Sequence, residues 1–236
     1  MNTLEQFPDD WTRALVLMAH PDDPEYGAAV AVNSWTRRGK EVAYVLATSG
    51  EAGIEGMDPA IAGPAREVEQ RNAVARVGVR DLEFLGFPDG RTEYGMELRR
   101  ALAAAIRRHR PEMVITLNFG LAFNGVFRNQ ADHRAVGLAT LDAASDAGNS
   151  WIFPDLPGEP WSGVRHIAVF ADADPTHSVD VTDEDLDAAT AALTEHRQYL
   201  EGLGVADVGA HARAQVERGA VVGEDGVKRV SFRVYQ

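Results

Sequence analysis

The chain contains no cysteine, which excludes disulfides, thiolate metal sites and thiol nucleophiles together. Any metal must therefore be held by histidine and carboxylate. No apolar run reaches the roughly 18 residues that a membrane-spanning helix requires. The opening segment MNTLEQFPDDW lacks both the basic flank and the apolar core of a secretory signal. Basic residues are in the minority, 23 Lys and Arg against 36 Asp and Glu, for a formal charge of −13. Such a field repels phosphate backbones and anionic lipid, so neither nucleic acid nor a membrane is an expected partner. Also missing are a glycine-rich GxGxxG or Walker-type phosphate loop and a GxSxG nucleophile elbow, which removes the signatures of dinucleotide binding and of an α/β serine hydrolase. These absences fit a cytoplasmic protein.

What is present is a 236-residue chain, long enough for one large core. Short apolar runs alternate with longer helical patterns over the first 145 residues. Ala14–Ala19, Glu41–Ala47, Leu82–Leu85 and Met113–Leu117 read as strands. Glu25–Arg38, Ala65–Val77, Met96–His109 and Asp132–Ala147 read as helices. Repeated strand–loop–helix units predict an α/β fold, a Rossmann-like three-layer sandwich with a mostly parallel central sheet. Gly50–Gly63 and Asn118–Gln130 read as long loops, a length that in compact domains often marks function. Beyond residue 147 the pattern is less regular. Val164–Phe170 reads as a strand, Asp183–Leu200 as one helix opened by Thr182 or Asp183, and Val227–Val234 as an edge strand. With no linker or repeat, residues 1–236 are expected to form one domain, with a core at 12–147 and a less regular part at 148–236.

The chemistry concentrates in Ala19-His20-Pro21-Asp22-Asp23-Pro24-Glu25, where the first strand gives way to the first helix. In open α/β sheets ligands bind beyond the carboxyl ends of the strands. His20 and Asp23, three apart across a turn, can both reach one metal ion, leaving Asp22 free beside it. The alternative is plain helix chemistry, with Asp23 as N-cap and Pro24 at the first helical position. A second segment, Asp132-His133, follows the strand Met113–Leu117 at the same sheet edge. It too has a plain reading, Asp132 as a cap and His133 on the surface. Together His20, Asp23 and His133 supply the three His and carboxylate ligands common at catalytic zinc.

AHPDDPEYG (Ala19–Gly27), TSGEAG (Thr48–Gly53), AREVEQRNAVARVGV (Ala65–Val79), FPDGR (Phe87–Arg91) and ADHRAVG (Ala131–Gly137) occur in this order over the first ~140 residues. In these segments the chain resembles the PIG-L/LmbE-like family of zinc N-deacetylases, which act on N-acetylglucosamine derivatives and related small molecules. The resemblance implies Zn2+ held by His20, Asp23 and His133, with Asp22 as general base and Asp132 supporting the ligands from behind. It implies substrate contacts from Arg66, Glu51 and Asp89, and it is compatible with a homo-oligomer. For Arg66 the plain alternative is a surface ion pair with Glu67 or Glu69, and for Asp89 a Pro-Asp-Gly turn. Gln130 stands where many family members carry a histidine. It can donate a hydrogen bond to a developing oxyanion but cannot carry positive charge. That departure keeps open a non-catalytic relative serving as a ligand-binding module. His177, in a C-terminal loop, is either structural or a further residue facing the site.

Overall fold

The computed structural model describes residues 4–123 and 126–236. Its elements begin with β1 (Glu5–Gln6), β2 (Arg13–Met18), α1 (Ala29–Arg37), β3 (Glu41–Leu46), α2 (Pro59–Arg76) and β4 (Asp81–Phe84). They continue with α3 (Met96–His109), β5 (Met113–Leu117), β6 (Ala122–Phe123), β7 (Phe127–Arg128) and α4 (Ala131–Gly148). The remainder holds β8 (His166–Phe170), β9 (His177–Val181), α5 (Asp183–Thr194), α6 (Arg197–Gly202), α7 (Val208–Gly219), β10 (Val221–Val222) and β11 (Lys228–Tyr235). The main sheet runs β1-β9-β11-β8-β5-β2-β3-β4, with β10 paired to β11. From β4 to β8 all neighbours are parallel, and β11 is antiparallel to both β8 and β9. The mostly parallel α/β sandwich expected from the alternating pattern is the observed architecture.

The apolar run in β2 is explained by burial on both faces. Val16 and Met18 join a cluster with Trp35, Tyr44, Phe170 and Phe232 under α1, α2, α5 and α7. Leu15 and Leu17 point the other way, into a cluster with Leu98, Leu102, Ile106, Val136 and Ala139 under α3 and α4. Each fully buried aliphatic side chain contributes about 1.5–3 kcal/mol by leaving water. Because β2 lies between β3 and β5, the chain departs from it to one side and later returns on the other. A crevice opens at this reversal, beyond the carboxyl ends of β2 and β5.

Four expectations need correction. The first helix begins at Ala29, four residues later than expected, and Ala28 caps it without a side-chain bond. Residues 21–28 are consecutive turns, because the carboxylate of Asp23 accepts from Ala19 and His20 behind it instead of capping forward. Helix α2 begins at Pro59 with Asp58 as its cap, so the loop after β3 is shorter than Gly50–Gly63. Pro64 lies within that helix, exposed on its outer side, where the missing hydrogen bond faces water. The helix expected over Asp183–Leu200 opens as foreseen, with Thr182 in a capping box, but breaks at Glu195-His196 into α5 and α6. Finally, β11 is an interior strand, not an edge. Its alternation reports burial of Val230 and Phe232 on one face, a pattern that edge and inner antiparallel strands share. Within the expected loop Asn118–Gln130, β6 and β7 pair as a short hairpin, and residues 124–125 lie outside the described residues.

Candidate active site

The turn after β2 and the first turn of α4 converge at the crevice. Nδ1 of His20 lies 3.1 Å from Nε2 of His133, and that Nε2 lies 3.0 Å from Oδ1 of Asp23. The other Asp23 oxygen, Oδ2, sits 3.5 Å from His20 Nδ1 and accepts from the backbone N–H groups of Ala19 and His20 at 3.1 and 2.8 Å. One ligand atom from each of the three residues falls within a 4.8 Å set. A tetrahedral ion with ligands at about 2.0–2.1 Å has ligand–ligand edges of about 3.3–3.4 Å, so the spacing suits one small cation.

The outer nitrogens make the fit specific. His20 Nε2 faces Oδ2 of Asp132 at 3.2 Å and Oδ1 of Asp89 at 3.1 Å. His133 Nδ1 faces Oδ1 of Asn129 at 2.9 Å. Each imidazole thus has an acceptor for its outer N–H, leaving the inner nitrogen's lone pair for a metal. His20, Asp89 and Asp132 form a second cluster with metal-like spacing. Its carboxylates are already committed: Asp132 accepts from Gly90 and Thr92 N–H, and Asp89 from Ala52 N–H. They are supports for His20. Asp132 therefore does not cap its helix; Gln130 occupies that position without a side-chain cap bond.

Burial and neighbouring charges compete at His20 and Asp23. Burial opposes charge on His20, yet Asp23, Asp132 and Asp89 outweigh it and raise its pKa well above the usual value. Burial would likewise raise Asp23, but His133 and His20 win and hold it far below the carboxylate range. The carboxylates around His20 thus favour positive charge on it, and the imidazoles beside Asp23 favour its ionised form.

Asp22 is placed differently. It is buried, with its backbone at φ +91°, a left-handed conformation for a non-glycine residue. Such strain costs on the order of 1–3 kcal/mol and persists only where surroundings enforce it. Its N–H donates to Oε1 of Gln70 at 2.9 Å, and its Oδ1 lies 3.3 Å from Nη2 of Arg66. Burial pushes its pKa up to about 6, Arg66 pulling down and Asp23 pushing further up. A carboxylate near that value can both take and return a proton near neutral pH.

Arg66 is buried, not on the surface. Its guanidinium donates to the carbonyls of Gly50 and Pro21 at 2.9 and 2.6 Å and lies 3.9 Å from the ring centroid of Tyr199. Gly50 makes room for it: at φ +62° a Cβ would stand 2.2 Å from Nη1. Asp89 reaches the cavity from a turn closed by Gly90. Glu51 stands behind it, its carboxylate accepting the Asp89 N–H at 2.9 Å. Gln130 lines the cavity near His133. His177 lies in β9, 3.7 Å from Glu5, and not among the cavity's lining residues.

The cavity measures about 620 Å³ and holds His20, Asp22, Asp23, Arg66, Asp89, Gln130 and His133 together. Phe123, Phe127 and Phe170 form an apolar side, and Tyr26, Tyr199, Asp172 and Arg218 are further lining residues. Sequence reasoning missed these lining residues, as well as Asn129 and Gln70. Asn129 had one faint signal, its place four residues before a ligand at a helix entry.

A family model described as PIG-L, GlcNAc-PI de-N-acetylase, matches residues 15–144. The chain is 26% identical over 202 residues to a diacetylchitobiose deacetylase of Thermococcus kodakarensis, covering 83% of this chain and 73% of that one. It is 31% identical over 136 residues to a probable N-acetyl-alpha-D-glucosaminyl L-malate deacetylase 2 of Bacillus anthracis, covering 55% of this chain and 58% of that protein's length. In fold it is similar to an N,N'-diacetylchitobiose deacetylase from Pyrococcus horikoshii, with a TM-score of 0.78 at 22% identity, covering 96% and 84% of the two chains. Since the matched model spans more than half of the chain and contains all three cradle residues and Asp22, the protein belongs to the PIG-L (LmbE-like) deacetylase family.

Proposed function

We propose that the protein is a zinc-dependent hydrolase that removes an acetyl group from an amide nitrogen on a small molecule containing N-acetylglucosamine. The observation that carries this reading is a buried His-Asp-His cradle with a separate, strained carboxylate beside it in one cavity. The deacetylase names of its relatives support the substrate class. His20 Nδ1, His133 Nε2 and Asp23 would hold the zinc. A bound zinc supplies Lewis acidity, bringing the pKa of a coordinated water down to about 7.

The remaining chemistry falls to the chain's own residues. Asp22 takes a proton from the attacking water as a C–O bond forms at the amide carbonyl. When the C–N bond breaks, the same group, now a carboxylic acid, returns that proton to the departing amine. The products are a free amine and acetic acid, which gives its remaining proton to solvent as acetate, and Asp22 ends ionised. Arg66 keeps the Asp22 carboxylate oriented and its pKa from rising further. Gln130 presents an amide able to donate to the carbonyl oxygen as negative charge develops. Phe123, Phe127 and Phe170 add apolar surface to the cavity lining.

The non-catalytic alternative is disfavoured by Asp22. A mere binding module has no use for a buried carboxylate held at φ +91° with its pKa raised toward neutrality. One domain over residues 1–236 and a cytoplasmic setting are part of the proposal. Among the described residues no helix is long and apolar enough to cross a membrane. The test is amine release from a panel of N-acetylated sugars, including N-acetylglucosamine and diacetylchitobiose, by zinc-reconstituted protein. Turnover that disappears on chelation and returns with zinc is expected. Silence across the panel, or turnover indifferent to chelator, overturns the reading.

A further inference from the structure

Helix α2 presents Arg66, Glu69 and Gln70 on one buried face, as its i, i+3, i+4 spacing dictates. Arg66 and Glu69 meet the first turn of α6, and Gln70 reaches His196 just before it by way of Glu25; this segment lies outside the family match at 15–144. The ring of Tyr199 covers the Arg66 guanidinium at 3.9 Å. The N–H of Gln198 donates to Oε1 of Glu69 at 2.5 Å. His196 is 0% exposed, and its Nε2 lies 3.4 Å from Oε2 of Glu25, also 0% exposed. The other Glu25 oxygen accepts from Gln70 Nε2 at 2.9 Å, and Gln70 Oε1 in turn takes the N–H of Asp22 at 2.9 Å.

Two chains of contact therefore reach Asp22 from one segment. One runs His196–Glu25–Gln70 to its backbone; the other runs Tyr199–Arg66 to its carboxylate. Neither touches the three cradle residues through a side-chain hydrogen bond among the described residues. The His196–Glu25 approach is a close contact and not a hydrogen bond, since Glu25 Oε2 and both His196 ring nitrogens are buried without a hydrogen-bond partner among the described residues. Such a pair is costly to retain. Here the geometry enforced is a left-handed backbone that Asp22 would not adopt unaided.

We propose that the segment His196–Tyr199 holds Asp22 in its working position, with His196, Glu25, Gln70 and Tyr199 as positioning residues that act through it. The proposal rests on the reading of Asp22 as the proton carrier. It explains why the helix expected over 183–200 is broken: an unbroken helix would carry His196 and Tyr199 along one rod, away from the turn after β2. The region beyond the family match then belongs to the catalytic apparatus and is more than a flank.

Gln70→Met keeps the side chain's length and removes the acceptor for the Asp22 N–H. On the sugar that zinc-reconstituted wild type turns over fastest, kcat is expected to fall on the order of 10²-fold, the scale of a 1 Å misplacement. KM should stay within threefold and metal per chain should be unchanged. In an Asp22→Asn background the same substitution should cause no further loss, because its only route is Asp22. If Gln70→Met does not fold, Tyr199→Leu carries the test, read in kcat alone because Tyr199 also lines the cavity. A kcat within threefold of wild type, loss of metal, or a full additive loss in the Asp22→Asn background overturns the proposal. An Asp22→Asn protein at wild-type rate refutes the proton-carrier reading itself, whereas a slow Asp22→Asn with a fast Gln70→Met refutes only the positioning.

Discussion

Replacing Asp22 by asparagine removes one ionisable oxygen while keeping the side chain's shape, the N–H to Gln70 and an oxygen for Arg66. Two consequences follow, with opposite signs. Turnover should fall by about 10²–10⁴-fold, the usual share of a general base, and metal content should be unchanged because Asp22 lies outside the cradle of His20, Asp23 and His133. Stability of the metal-free protein should rise. The Asp22 pKa moves from 3.8 to about 6 on folding, roughly two units at about 1.4 kcal/mol each, or up to about 3 kcal/mol. The raised value means the folded state binds more protons between those limits, so the group's penalty is absent below pH ~4 and fully present above pH ~6. Asparagine carries no such penalty, so the variant's advantage should appear at pH 8 and vanish near pH 3.5. For a chain of this size each kcal/mol moves the melting temperature by about 2–4 °C. The assays are amine release, metal analysis, and calorimetry of chelated protein at both pH values. A kcat within threefold of wild type refutes the general base. A melting temperature that falls at pH 8 in the chelated variant refutes the argument from buried charge.

His133→Ala should abolish stoichiometric metal binding, measured by elemental analysis after reconstitution; a full complement of metal would contradict the cradle. Asn129→Ala frees the outer nitrogen of His133 and should weaken metal affinity about 10–100-fold, read by competition with a chromophoric chelator. Arg66→Gln removes the cation that lowers the Asp22 pKa, so the acid limb of the kcat profile should move to higher pH, and a limb that stays or moves down contradicts the pairing. Gly50→Ala places a Cβ 2.2 Å from Arg66 Nη1 at φ +62° and should cost about 1–3 kcal/mol in thermal unfolding.

Much of the molecule was legible because local rules and tertiary demands agreed. Met96–His109 and Met113–Leu117 were read to the residue, since one has strong helical periodicity and a proline stop, and the other is apolar throughout. Disagreement arose where a side chain had two possible partners. Asp23-Pro24 has the form of a helix cap, yet its carboxylate turns back to Ala19 and His20. Arg66 has glutamates within reach on its own helix, yet it is drawn inward by two carbonyls and Asp22. The break at Glu195-His196 carried no glycine or proline to announce it. It is decided by what His196 meets in the turns after β2 and what Tyr199 meets on α2.

The residue types and their order in the chain determined by themselves that a metal here must sit on histidine and carboxylate, and that it would lie at the carboxyl edge of a parallel sheet. Cysteine was absent, and the strand–helix alternation allowed few other topologies. Only the tertiary structure decided that Asp22 is buried, strained and braced while Asp23, one residue later, faces two imidazoles. Neighbouring residues are alike in chemistry and separated in role by a backbone twist, and that twist is held by contacts some 50 to 180 residues away along the chain, which no local pattern encodes.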